Sequence, residues 1–324
     1  MVKINIQKSA VLAGPRSIRI EELPLSEIGP SQIRVRLRGC GLCGSNLPVW
    51  EGRPWFNYPL PAGAPGHEGW GQVEAVGAEV ATLRPGDSVA MLSYHSFAEY
   101  DLAEAGQAIK LPSALAAEPF PGEPLACAVN VFRRSEITTG QTVAIVGLGF
   151  LGLLLTQLAA RAGARVIAIS RRPFAREMAQ RMGAAEVLSG DNPAYVIETV
   201  KQLTDRAGSG RVIEATGFQG PLDLASELTA ERGRLIIAGY HQDGPRQVNL
   251  QQWNWRGLDV INAHERDPAV YIQGMKEAVS LVEAGTLNPA PLYTHRFKLD
   301  RLNVAFEEMK AGESGFIKGL VIYD

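Results

Sequence analysis

Gly147-Leu148-Gly149-Phe150-Leu151-Gly152 is the stretch that decides the fold. It satisfies the pattern G-x-G-x-x-G, and its surroundings give the pattern meaning. The apolar run over residues 142–146 predicts a short buried strand before it. Leu151, Leu154, Leu155 and Leu158 fall on one face of a helix predicted over about residues 150–162. In such a loop the first glycine permits a tight turn, the second lets the backbone approach a pyrophosphate, and the third lets helix and strand pack closely. The helix N-terminus then offers unpaired N–H groups and a positive dipole end to the phosphates. Gly147, Gly149, Phe150, Leu151 and Gly152 are the candidate phosphate contacts. A structural strand-to-helix turn would also satisfy the glycines alone, in a chain with 34 of them. The strand and helix on either side favour a dinucleotide.

The end of the next strand selects the cofactor. A site for NAD places Asp or Glu there, roughly 20 residues beyond the motif, to bind the ribose 2′-OH. Here the strand over residues 165–169 is followed by Ser170-Arg171-Arg172. A hydroxyl and two guanidiniums suit a 2′-phosphate, which Arg binds bidentately. NADP(H) is therefore expected over NAD(H), with Ser170, Arg171 and Arg172 as its contacts. The bland alternative is two solvated arginines at the start of a helix over about residues 173–182, with Pro173 in its first turn.

Outward from the loop, strands predicted near residues 211–215 and 234–238 alternate with helical patterns near 193–206 and 219–229. That alternation implies a doubly wound parallel sheet covered on both faces, an α/β fold. A helix follows over about residues 268–284, and the tail over residues 297–323 reads strand–helix–strand. The first hundred residues read as β structure. Residues 33–37 and 71–77 alternate at period two, glycine and proline crowd residues 52–71, and Arg84-Pro85-Gly86-Asp87 marks a turn.

The 324 residues suggest two domains, 46% of them hydrophobic and 20% charged, and the net charge of −2 comes with no basic or acidic run. No nucleic-acid or membrane partner is expected. Met1-Val2-Lys3-Ile4-Asn5 lacks the apolar core of a signal peptide. Cys40, Cys43 and Cys127 cannot build a disulfide framework, which fits a reducing compartment. A cytoplasmic location is expected.

Three segments ahead of the glycine loop carry metal-ligand chemistry: Gly39-Cys40-Gly41-Leu42-Cys43-Gly44-Ser45-Asn46, Pro65-Gly66-His67-Glu68-Gly69 and Glu123-Pro124-Leu125-Ala126-Cys127. Thiolate, imidazole and carboxylate are ordinary zinc ligands, and a catalytic zinc keeps three of them with one position open. Each segment alone is weak, because a lone cysteine is usually core packing. Their order, with Arg84-Pro85-Gly86-Asp87-Ser88-Val89 and Phe97-Ala98-Glu99-Tyr100, resembles the zinc-dependent alcohol and polyol dehydrogenase branch of the medium-chain dehydrogenase/reductase superfamily.

The resemblance runs over nearly the whole chain. It implies a mostly β GroES-like catalytic domain built from both chain ends, residues 1–123 and 263–324, and a Rossmann domain over residues 124–262. It implies Cys43, His67 and Glu123 as ligands of one catalytic Zn2+. Glu68 is implied as a neighbouring carboxylate that binds or exchanges with the metal, and Ser45 as the hydroxyl that passes the substrate proton. It implies hydride transfer between NADP(H) and a small-molecule secondary alcohol or ketone, a substrate cleft between the domains, and a homodimer or homotetramer. The carboxylate ligand resembles that of enzymes acting on polyols, sugars or cyclitols. Loops carrying Trp50, Trp55, Tyr58, Trp253 and Trp255 could stack on such a ring or pack an interface.

Four departures qualify the resemblance. The structural-zinc lobe is missing, since only residues 91–96 join Val89 to Phe97, so no structural zinc is expected. Asn46 stands where Asp is usual. Pro48 stands where many relatives carry a relay histidine, leaving ribose, water or His95. Cys40 is expected buried in a strand, and Cys127 is an alternative ligand one turn after Glu123. Two rival readings remain: a zinc-independent quinone or enoyl-type reductase of the same superfamily, and a non-enzymatic NADP-binding sensor on the same fold.

Overall fold

The computed structural model describes residues 6–312 and 315–323, so the reading of Met1–Asn5 lies outside the described residues. The chain forms two compact units. One comprises Met1–Ala126, Asp267–Glu283 and Pro289–Asp324, and the other Cys127–Arg266 and Ala284–Asn288.

In chain order the first unit contains β1 (Ile6–Gly14), β2 (Ser17–Pro24), β3 (Gln32–Gly41), α1 (Asn46–Glu51), β4 (Gly69–Val76), β5 (Ser88–Met91), β6 (Tyr100–Glu104) and β7 (Ala108–Lys110). Helix α2 (Gly122–Ser135) begins in this unit and continues into the next. The second unit holds β8 (Thr142–Val146), α3 (Phe150–Arg161), β9 (Arg165–Ile169), α4 (Pro173–Arg181), β10 (Glu186–Leu188), α5 (Pro193–Leu203), β11 (Ser209–Glu214), α6 (Gln219–Leu228), β12 (Thr229–Ile237), α7 (Leu250–Arg256) and β13 (Asp259–Asn262). The chain then returns to the first unit with α8 (Pro268–Glu283), β14 (Tyr293–Phe297), α9 (Leu302–Ala311) and β15 (Lys318–Ile322).

The second unit is built on a six-stranded sheet in the order β10-β9-β8-β11-β12-β13, with every pairing parallel. Counted from β8, that is 3-2-1-4-5-6, the doubly wound order that binds dinucleotides at its switch point. Val143, Ala144, Ile145 and Val146 are all buried, because a strand covered on both faces has no solvent side. Helix α3 goes further than its sequence pattern suggested. Nearly its whole circumference is buried, from Gly152 to Ala159, rather than one leucine stripe. Its polar side chains are satisfied locally: Thr156 Oγ1 donates to Gly152 O at 2.8 Å, and Gln157 pairs with both the backbone N–H and C=O of Asn288. That pairing holds residues 284–288 in the second unit.

In the first unit β1 and β2 form an antiparallel ribbon. A larger sheet runs β14-β15-β3-β4-β5-β7, with β6 also on β3. β3 organises it. Ile33, Val35 and Leu37 alternate inward to one core, while Cys40 enters another with Trp50, Phe97 and Phe306. β15 pairs antiparallel with Gly39–Gly41 of β3, so the chain's C-terminal part lies beside the Cys40–Ser45 segment.

Two readings need correction. Trp253-Asn254-Trp255-Arg256 is not a loop but the last part of α7, capped by the Asn249 side chain and closed by Gly257 at a positive φ of 60°. The tail's first strand ends at Phe297 rather than starting there, since Thr294, His295 and Arg296 already pair with β15 or bond to it. Helix α2 was not anticipated beyond its first turn.

The glycine loop shows why only two of its glycines are structural. Gly147 has φ 104°, and a Cβ on Gly152 would lie 1.9 Å from Gly147 O. A Cβ on Gly149 would meet nothing within 4 Å. Gly152→Ala is therefore expected to destabilise the protein by about 2–4 kcal/mol through forced backbone shift. Gly149→Ala should leave the urea midpoint unchanged yet weaken binding of a reduced nicotinamide dinucleotide roughly tenfold or more; equal stability losses in denaturation would contradict this division of labour.

Candidate metal centre

The site begins with a short turn. After β3, the residues Leu42 to Ser45 reverse the chain into α1, with Cys43 half-buried and Ser45 at the N-cap position. Asn46, almost fully buried, closes the turn by accepting from the Cys43 backbone N–H at 3.0 Å. Its amide Nδ2 donates to Pro65 O, also at 3.0 Å. The same carbonyl accepts from His67 Nδ1 at 2.9 Å. Pro65 O thus links the two segments, and its bond to Nδ1 leaves Nε2 of His67 to face Cys43.

Cys43, His67 and Glu68 offer ligand atoms that all lie within 4.8 Å of one another. Burial works against charge on the His67 imidazole. The side chain of Cys43, through a hydrogen bond and electrostatically, and then the carboxylates of Glu123 and Glu68 overcome that penalty and hold its pKa up at about 10. Sulfur, nitrogen and carboxylate oxygen donors thus converge beside one ring. The donor set of sulfur, imidazole nitrogen and carboxylate oxygen suits zinc. The residues present therefore fit the ion implied by the sequence.

Glu68 has a second partner. Its side chain is wholly buried, and it accepts from Lys318 Nζ at 2.6 Å on Oε1, with Oε2 also in contact. Lys318, itself buried, donates further to Leu42 O at 2.8 Å. This Lys–Glu pair, not anticipated from the sequence, ties β15 to both ligand segments. A signal was available: Lys318 is the lone charge in Phe316-Ile317-Lys318-Gly319-Leu320-Val321-Ile322, and a charge inside an apolar strand demands a buried partner. Asn46 was noticed only as a departure, whereas it is the hub of the turn.

The other named residues fall as follows. Glu123 stands half-buried in the first turn of α2. Cys127 follows one turn later, and neither Glu123 nor Cys127 belongs to the close group of Cys43, His67 and Glu68. Cys40 is fully buried in β3, where burial pushes its thiol well up. His95 is exposed, its ring edge-on to Tyr94. The loop that carries it is held by Ser96, which donates to buried Asp101 at 2.7 Å. Tyr94 in turn stacks on His67, with ring centroids 6.3 Å apart. In the second unit Arg171 is exposed after β9. Arg172 is half-buried, donating to Leu148 O of the glycine loop at 3.1 Å, and burial lowers its pKa. Arg176 braces the same corner by donating to Ser170 O and Arg171 O. Trp50 and Trp253 are packing residues: Trp50 lies against Phe306, and Trp253 joins the core of the second unit. Trp55 and Trp255 are exposed, Trp255 at 88%.

This assembly, a thiolate–imidazole–carboxylate cluster in a GroES-like unit followed by a doubly wound dinucleotide fold, is that of an alcohol dehydrogenase. The family model for the alcohol dehydrogenase GroES-like domain matches residues 29–113, and that for zinc-binding dehydrogenase matches residues 151–283, together more than half of the chain. Sorbitol dehydrogenase of Homo sapiens is 28% identical over 342 residues, covering 94% of this chain and 93% of the relative. Among solved structures, a putative zinc-binding dehydrogenase from Sinorhizobium meliloti 1021 bound to NADP is 26% identical with a TM-score of 0.85, over 98% of this chain and 100% of that one. 2R,3R-butanediol dehydrogenase from Bacillus subtilis shares the fold at 24% identity and TM-score 0.85, with the same coverage. The chain belongs to the zinc-type alcohol and polyol dehydrogenase branch of the medium-chain dehydrogenase/reductase superfamily. No helix among the described residues is long and apolar enough to cross a membrane.

Removing one partner of the buried pair should be costly. Lys318→Met is expected to destabilise the protein by about 3–5 kcal/mol, because Glu68 would be left as an uncompensated buried charge. The double variant Lys318→Met with Glu68→Leu should recover most of that loss in urea titrations.

Proposed function

We propose that this chain transfers a hydride between NADP(H) and a secondary alcohol or ketone, with zinc held by Cys43, His67 and Glu123. The observation that carries this reading is the close group of Cys43, His67 and Glu68, whose ligand atoms all lie within 4.8 Å of one another; the Glu123 carboxylate also acts on the same imidazole, and its place as third ligand follows the family resemblance. When bound, zinc supplies Lewis acidity toward the substrate oxygen and the nicotinamide supplies the hydride acceptor or donor.

The chain's own residues do the rest. Asn46 and Pro65 O set the distance between the Cys43 turn and His67. His67 Nδ1 stays bonded to Pro65 O, which fixes the ring so that Nε2 is the ligating atom. Glu68, gripped by Lys318, balances charge beneath the site and is the carboxylate able to exchange onto the metal. Ser45, half-buried two residues after Cys43, accepts the proton that leaves the substrate hydroxyl. Pro48 lies within α1 and carries no titratable group, so the proton continues to ribose, water or the exposed His95.

Cofactor contacts come from Gly147, Gly149, Phe150, Leu151 and Gly152 for the pyrophosphate. Ser170 and Arg171 then receive the 2′-phosphate, with Arg172 joining the corner to the glycine loop. The NADP-bound relative supports this choice, as does the lack of a carboxylate after β9. Residues 1–123 and 263–324 serve as the catalytic part and 124–262 as the cofactor part of a homodimer or homotetramer. The substrate class is a polyol, sugar or cyclitol. Similarity to sorbitol dehydrogenase and the carboxylate ligand support it, and exposed Trp55 and Trp255 are the aromatic faces still available to a ring.

Metal analysis separates this from a zinc-independent reductase. Purified protein should carry about one zinc per chain, and Cys43→Ser and His67→Ala should each lower it to near zero. Full activity without zinc in both variants would refute the assignment. Arg171→Ala should raise the KM for NADP+ about tenfold and leave that for NAD+ nearly unchanged. A screen of polyols and sugars with NADP+, followed by absorbance of the reduced nicotinamide, tests turnover; tight cofactor binding without turnover in either direction would favour a sensor.

A further inference from the structure

A second polar network lies in the unit of residues 127–266 and 284–288, which contains none of the proposed metal ligands. Glu214 ends β11 with its side chain fully buried. Its Oε1 accepts from the Thr216 and Gly217 backbone N–H groups at 2.6 and 2.9 Å, and from Thr216 Oγ1 at 2.5 Å. Its Oε2 faces His241 Nε2 at 3.0 Å. On the other side of the ring, Arg246 Nε donates to His241 Nδ1 at 2.9 Å. A guanidinium can only donate, so Nδ1 accepts and the imidazole proton sits on Nε2, aimed at Glu214. Arg246 also donates to Gly217 O at 2.7 Å and pairs with Asp243.

The network joins two loops. Glu214, Thr216 and Gly217 form the turn after β11, while His241, Asp243 and Arg246 lie in the loop after β12. The backbone is packed to match: a Cβ on Gly239 would lie 2.2 Å from Gly217 N and 2.6 Å from Glu214 Oε2. Tyr240, next to His241, stacks on His264, which follows β13, with ring centroids 5.2 Å apart. All three loops are at the carboxyl edge of the sheet.

Strand order says which half of a dinucleotide meets that edge. The pyrophosphate belongs on the glycine loop after β8 and the adenosine ribose at the end of β9. β9 and β11 flank β8 on opposite sides. The nicotinamide half must therefore extend over β11 and β12, where the turn and loop are clamped.

We propose that His241 is a positioning residue for the nicotinamide end of the cofactor. Held by Arg246 and holding Glu214, it clamps the loop after β12 to the turn after β11, so that their backbone is preformed when the nicotinamide arrives. The inference rests on the dinucleotide reading above and adds a residue to it. His241 contributes no proton to the reaction; it acts through backbone order, lowering the entropy lost on binding.

The test compares whole cofactors with fragments that lack the nicotinamide. NADH and NADPH binding is followed by nicotinamide fluorescence, and ADP-ribose and its 2′-phosphate by calorimetry. His241→Leu should weaken binding of the preferred reduced cofactor about tenfold while binding of the matching fragment is unchanged, which also shows that the variant is folded. His241→Gln, which restores an N–H donor toward Glu214, should recover most of the loss. Unchanged cofactor binding in His241→Leu, equal loss of cofactor and fragment, or no recovery in His241→Gln would each overturn the proposal. Failure of the unaltered protein to bind either compound would overturn the dinucleotide reading, and this inference with it.

Discussion

The carbonyl oxygen of Pro65 fixes the distance on which the rest of the site depends. It accepts from Asn46 and from His67, and Asn46 in turn accepts from the Cys43 backbone. A thiol and an imidazole 24 positions apart in the chain, across α1 and a long loop, are brought together by three hydrogen bonds of ordinary length. Beneath them, Lys318 reaches from the last strand to Glu68 and Leu42 O, so the C-terminal part of the chain supports the same corner. A catalytic constellation needs such support to stay within about half an ångström of its working geometry. Here the support is almost entirely buried, where each bond is electrostatically stronger than in water and each loss more costly.

The two units use the same physical device for different ends. In the first, the donor atoms of Cys43, His67 and Glu68 converge within 4.8 Å of one another. In the second, the charges around His241 are already satisfied by Arg246 and Glu214, and the result is rigidity rather than affinity. One network gathers metal-ligand chemistry; the other is closed by protein groups alone. Cys43 and the carboxylates of Glu123 and Glu68 raise the pKa of His67 against its burial, while the two ring nitrogens of His241 are engaged by Glu214 and Arg246.

Much of this was legible in the sequence because it rests on local pattern. Gly147, Gly149 and Gly152 stand between an apolar strand and a leucine-rich helix, and the alternation of strands and helices implied the parallel sheet, though not its strand order. Cys43, His67 and Glu68 were readable as ligand chemistry because of their order along the chain. Long-range partners were not readable. Lys318 and Glu68 lie 250 residues apart and meet only because β15 pairs with β3. His241 and Glu214 meet through the turns at the ends of two parallel strands. Trp50 and Trp253 could not be told from ligand-binding aromatics until burial was known. The sequence could not show that Arg172, expected at the 2′-phosphate, also donates to Leu148 O of the glycine loop.

The central claim is that Cys43 and His67 ligate a catalytic metal in this dehydrogenase. Cobalt(II) substitution tests it most directly, because thiolate ligation and coordination number are both visible in the absorption spectrum. The account predicts about one cobalt per chain, a thiolate-to-cobalt charge-transfer band lost in Cys43→Ser, and intense visible bands of a four-coordinate ion. Cobalt that binds with only the weak bands of a six-coordinate site, or a charge-transfer band that persists in Cys43→Ser, would contradict it.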